Sequence, residues 1–196
     1  MNARVLLLAL LIVAMPVPGA QAVELSTDQQ RRLEIGEVVV MDVLPPGGPA
    51  KVSQGGTVLA LVHASPAAVW QVLTDYARHR GLYPRVVDAR VLEADGEHAL
   101  VRYVLGIGPF SFGFHVDNYA DEARRRIEWR LAHERPNDLF RESWGYWQLD
   151  PRPSGVVVTY AMAARTVLPA FLTRGAERDG LVETVKAVRE RAEQDQ

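Results

Sequence analysis

The sequence predicts an α+β fold, an antiparallel β-meander followed by a long C-terminal helix. Three observations carry that reading. Between Arg85 and Arg165 the chain falls into strand-like runs separated by turn signals at regular spacing. One short helix, SPAAVWQVLTDYA, interrupts a β-rich chain before those runs begin. The longest helical apolar pattern comes last, from Leu168 to Ala192.

The elements follow in order. The first residues, MNARVLLLALLIVAMPVPGAQA, combine Arg4, an apolar run of 11 residues from Val5 to Met15, and the small-x-small site Ala20-Gln21-Ala22. This is the pattern of a secretory signal peptide over residues 1–22, with a mature N-terminus at Val23. The run falls well short of the ~20 residues a spanning helix needs. Residues 23–55 are expected to form an N-terminal helix, a strand and a loop. Ser26 and Gln29 stand at capping-box spacing before a short charged helix ending near Leu33, and VVVMDV is β-branched. PPGGPAKVSQGG reads as loop, and TVLALVHA as the strand that feeds the interrupting helix.

In that helix Ser65 is the cap and Pro66 suits the first helical position. Val69, Val72, Leu73 and Tyr76, with Trp70 alongside, give the apolar stripe, and Gly81 and Pro84 end it. The meander then runs RVVDARVLEA, HALVRYVLGIG, FSFGFHVDNYA, RRRIEWRLAH, FRESWGYWQL and GVVVTYAMAAR, with turns at Asp95-Gly96-Glu97, Gly108-Pro109 and DPRPSG. Alternation puts Phe112, Phe114 and Val116 on one face, with Ile127, Trp129 and Leu131, then Trp147 and Leu149, then Val158, Tyr160 and Met162. Arg126, Glu128 and Arg130, like Ser111, His115 and Asp117, fall on the other face. Pro169 marks the start of the last helix, whose stripe includes Phe171, Leu172, Leu181, Val182, Val185 and Val188. TRGAERDG interrupts that stripe with Gly175 and Gly180, each costing roughly 1 kcal/mol relative to alanine.

This order, with SPAAVWQVLTDYARHRGLYPRVVDARVLE, GYWQLDPRPSGVVVTY and LPAFL, resembles the START-like (SRPBCC) superfamily. Its helix-grip fold is shared by Bet v 1-type proteins, polyketide cyclases and coenzyme Q-binding proteins. The resemblance spans residues 56–193 and implies a ligand-binding domain in which a curved sheet wraps the C-terminal helix. The short helix after the first strand would close one end, and a cavity would lie between sheet and helix.

Composition narrows the function. The 22 basic and 24 acidic side chains give a net charge of −2, so no overall basic field favours nucleic acid. The chain has no cysteine, so an exported form is held by packing alone; a periplasmic location is expected. The five histidines show no metal-ligand spacing, and no metal or other cofactor is expected. No nucleophile elbow or phosphate-binding loop is present, and no catalytic residue is assigned. Arg124-Arg125-Arg126 would suit transient contact with anionic membrane headgroups, but Asp121 and Glu122 offset the charge and a solvated turn is the better reading.

The aromatic face points elsewhere. An apolar ligand site is expected between Phe112, Phe114, Trp129, Trp147 and Tyr160 of the sheet and Phe171, Leu172, Gly175 and Val182 of the helix, where glycine leaves room. Three functions then compete. In the first, a monomer binds or carries a lipid, isoprenoid quinone or polycyclic molecule. In the second, a cyclase, aromatase or hydrolase uses the same cavity, with Tyr103, Glu142, Tyr160 and Arg165 as scattered polar candidates. The third is an interaction domain with a closed core.

Overall fold

The computed structural model describes residues 23–48, 54–167 and 176–194. Helix α1 (Thr27–Glu34) starts from the capping box expected at Ser26: the Gln29 N–H donates to Ser26 Oγ at 3.2 Å, and the Ser26 N–H donates to Gln29 Oε1 at 2.9 Å. Strand β1 (Val39–Met41) is shorter than VVVMDV suggested. Past Met41 the chain leaves the sheet, and the Val43 carbonyl accepts instead from the Thr57 hydroxyl at 2.6 Å. Strand β2 (Gln54–Val62) begins three residues earlier than TVLALVHA. Gly55 permits this, because a Cβ there would collide with the backbone of β8.

Helix α2 (Pro66–Thr74) and a 3₁₀ turn (Tyr76–His79) lead into β3 (Val86–Asp95). The meander continues through β4 (His98–Ile107), β5 (Phe110–Asp121), β6 (Arg126–Leu131), β7 (Phe140–Arg152) and β8 (Gly155–Thr166). Gly96 and Gly108 make the hairpin turns with φ of +55° and +58°. Strand β7 runs past Leu149, so the turn expected at DPRPSG shrinks to Pro153-Ser154, between the paired residues Arg152 and Gly155. All eight strands form one antiparallel sheet in the order β1-β2-β8-β7-β6-β5-β4-β3.

The last helix, α3, is described over Ala176–Gln194. The expected start at Pro169 lies outside the described residues. Leu181, Val185, Val188 and Ala192 recur at helical spacing and are buried, packing into the core with Val58, Ala60 and Val62 of β2 and Val156 and Val158 of β8. Small side chains such as Ala60 let the helix come close there. On the opposite face of β2, Leu59 and Leu61 pack with Leu33 of α1, Val39 and Val157 in a second core. Burial on both faces explains why TVLALVHA is apolar without alternation.

Thus α3 sits over β2 and β8 and also touches α2. The inner faces of β4 to β7 curve over a space that α3 does not fill. The expected helix-grip architecture is the one observed.

Candidate functional site

That space is a cavity of about 170 Å³, partly open to solvent. Every strand from β3 to β8 contributes to its wall; α2 and the 3₁₀ turn supply Leu73, Tyr76 and His79, and α3 supplies Thr184. Strand alternation aims these residues inward: Tyr103 and Leu105 from β4, Phe114, Val116 and Asn118 from β5, Ile127 and Trp129 from β6. The wall is mostly carbon. Among the described residues, no Asp, Glu, Lys or Arg side chain reaches it.

Aromatic rings form a continuous belt around the cavity. Trp129 stacks on Tyr160 with centroids 5.5 Å apart, Tyr160 on Trp147 at 4.1 Å, and Trp147 on Tyr83 at 6.4 Å. The belt passes through His79, 4.3 Å from Tyr83, and reaches Tyr103, then Phe114, then Phe140 edge-on. Gly145 makes part of this possible, because a Cβ there would run into the Trp129 ring and the Ala161 carbonyl. Tyr83 and Tyr160 are enclosed deep in the protein yet keep accessible surface, and that surface is cavity wall.

The end formed by α2 and the 3₁₀ turn is more polar. The Tyr103 hydroxyl lies 2.9 Å from Nδ1 of His79. The imidazole also faces the carbonyls of Val72 and Leu73 at the end of α2, yet its Nε2 completes no hydrogen bond. Burial pushes the His79 pKa down to about 4, opposed by those carbonyls and by Asp75, so the ring is neutral at pH 7. Burial also pushes the Tyr76 hydroxyl up to about 12 and raises those of Tyr83, Tyr103 and Tyr160, so all four phenols keep their protons.

Of the residues expected to form the site, Phe114, Trp129, Trp147 and Tyr160 line the cavity. Phe112 shares their parity but does not reach the wall; it lies near the outer end of β5, two residues from the strand's start at Phe110, and is only half-buried. Val182 packs at the margin of the core rather than on the cavity. Phe171, Leu172 and Gly175 lie outside the described residues. Gly180 faces open space, with no atom within 4 Å of where its Cβ would stand.

Tyr103 and Tyr160, weighed as polar candidates, do face the cavity. Glu142 and Arg165 do not: they pair at 3.3 Å on the opposite sheet face, with His133 3.1 Å from the same carboxylate. His115 is also on that face, buried beneath the 132–138 loop, where its N–H donates to Asn137 Oδ1 at 2.8 Å. Among the described residues no group of three His, Asp or Glu side chains converges as a metal site.

Sequence reasoning passed over Tyr76, His79, Tyr83 and Phe140 as site residues. Inward parity was available for Tyr103, two residues from Val101 and Leu105. His79 and Tyr83 sit in a 3₁₀ turn and the loop after it, where neither period applies.

A curved antiparallel sheet holding a C-terminal helix across an apolar cavity defines a helix-grip protein of the START-like superfamily. Residues 62–189 match the family described as polyketide cyclase / dehydrase and lipid transport, and the chain belongs to that family. Solved structures agree on the fold. The STAR-related lipid transfer protein of Xanthomonas axonopodis superposes with a TM-score of 0.63 at 21% identity, over 79% of this chain and 92% of that one. A START superfamily protein from Mycobacterium smegmatis gives 0.62 at 16% identity, over 74% and 100%. The Zhui aromatase/cyclase from Streptomyces sp. R1128 gives 0.59 at 18% identity, over 72% and 94%. No individual curated protein matches the chain in sequence.

Proposed function

We propose that this protein binds and carries a neutral, ring-containing apolar molecule in the cavity between sheet and helix. The observation that carries this reading is a cavity walled by a belt of aromatic rings with no charged side chain reaching it among the described residues. An apolar cavity of similar size, about 150 Å³, holds benzene, so one or two fused rings suit this one. About ten buried carbons would contribute roughly 8 kcal/mol gross, enough to offset much of the cost of association.

Carriage fits the wall better than catalysis. Ring closure or hydrolysis calls for a base or acid with a pKa near the working pH, or for a charge that meets developing charge. Among the described residues the one basic side chain on the wall, His79, has a pKa near 4 and is a weak base. The signal-like N-terminus supports export to the periplasm, where a carrier would move its passenger through water.

Ser143 tests the reading. It is buried on β7 and lines the cavity. Ser143→Leu should fill ligand space and weaken binding of tetralin (1,2,3,4-tetrahydronaphthalene) at least tenfold, with the melting temperature held or raised. Failure of the parent protein to bind tetralin, together with a fall in melting temperature for Ser143→Leu, would favour a closed core that the added side chain overpacks.

A further inference from the structure

Resting on the carrier reading, we infer that the α2 end of the cavity recognises one acceptor oxygen on the apolar ligand, a carbonyl held by the hydroxyl of Tyr76 with that of Tyr83 beside it.

The Tyr76 hydroxyl is buried and has no hydrogen-bond partner, although Tyr76 lines the cavity. Leaving such a group unmatched costs about 1–3 kcal/mol, so its retention in a mostly carbon wall calls for a partner brought by the cavity's contents. Tyr83 faces the indole N–H of Trp147, a donor, which leaves the Tyr83 proton free. The Tyr160 hydroxyl donates only to the thioether of Met162 at 3.5 Å, a weak acceptor. Both Tyr76 and Tyr83 pack against His79, with ring centroids 5.4 and 4.3 Å away, and line the same end of the cavity. Among the described residues neither proton reaches an acceptor there, and the unmatched Nε2 of His79 bonds to neither hydroxyl.

The ligand's chemistry follows. A hydrocarbon would leave the Tyr76 proton unmatched. A carboxylate or phosphate would be buried with no cation on the wall among the described residues. A ketone or quinone oxygen accepts from two phenols, brings no charge, and leaves its rings to stack on the aromatic belt.

Tetralin and 1-tetralone share one skeleton and differ by one carbonyl, and calorimetry can compare them on the full chain. The parent protein should bind 1-tetralone about tenfold tighter than tetralin. Tyr76→Phe should bring the two affinities within about twofold by weakening that for 1-tetralone. Because the substitution removes an unpaired buried hydroxyl, it should not lower the melting temperature, and Tyr83→Phe supplies a second variant with the same expected direction. Equal affinities in the parent protein would overturn the inference and leave the carrier reading standing. So would an undiminished preference in both variants. Absence of binding by either probe would overturn both.

Discussion

Tyr103 and His79 form a buried pair beneath the end of α2, hydroxyl oxygen to Nδ1 at 2.9 Å. Tyr76 and Tyr83 pack on the same imidazole, and every one of these phenols is neutral. Asp75, next to the turn, is the charge that favours the imidazolium, and burial outweighs it.

Stability should therefore depend on His79 in acid. Its folded pKa, about 4, lies below the unfolded value near 6.5, so the fold favours the neutral ring. The contribution is complete above about pH 7 and is lost as pH falls through 6.5 towards 4, a change of roughly 3 kcal/mol. Urea midpoints measured from pH 7 to pH 4.5 should fall less steeply for His79→Gln than for the parent. Parallel curves would show that His79 does not titrate against the fold.

Gly145 should tolerate no side chain. A Cβ would meet the Ala161 carbonyl across the ladder as well as the Trp129 ring, and the carbonyl cannot swing aside. Gly145→Ala is expected to cost about 3 kcal/mol in chemical denaturation and to disturb the near-ultraviolet signal of Trp129. A loss below about 0.5 kcal/mol would show that the strands can separate there.

The helix α2 should depend on Leu73 more than on Trp70. Leu73 is 1% exposed, whereas Trp70 lies only partly buried at the edge of the core. Leu73→Ala should cost about 3 kcal/mol, with Trp70→Ala costing clearly less despite the larger side chain. Ser65→Ala should remove the cap on the Ala68 N–H, now 3.1 Å from Ser65 Oγ, at a cost of about 1 kcal/mol. Equal losses at positions 70 and 73 would reverse this order.

Gly180 lies inside α3, where a Cβ would meet no neighbouring atom. Gly180→Ala should raise stability by up to about 1 kcal/mol. A lower melting temperature would mean that this stretch of α3 is more crowded than its geometry indicates.

Much of the fold could be read from the chain because its signals are local. Ser26 with Gln29 and Ser65 with Pro66 marked two helix starts, Gly96 and Gly108 marked hairpin turns, and period-two alternation assigned Trp129, Trp147 and Tyr160 to one face. That the sheet closes over a cavity came from the family resemblance, not from any residue pattern. The polar end of the cavity was hidden for a physical reason. His79 meets Tyr103, with Tyr76 and Tyr83 packed on the imidazole, only because a 3₁₀ turn folds under the sheet, and such turns carry no repeating pattern. Phe112 shows the limit of alternation: parity gives a side chain's direction but not whether the strand there still borders the cavity.

In the proposed function the cavity holds an apolar passenger. Native mass spectrometry of the protein, taken under gentle conditions from the cell that produces it, tests this most directly. The account predicts an added mass of a neutral, oxygen-bearing organic molecule at one per chain, released on denaturation and extractable into organic solvent. A spectrum with only the mass of the polypeptide, from protein that also fails to take up tetralin or 1-tetralone, would contradict it.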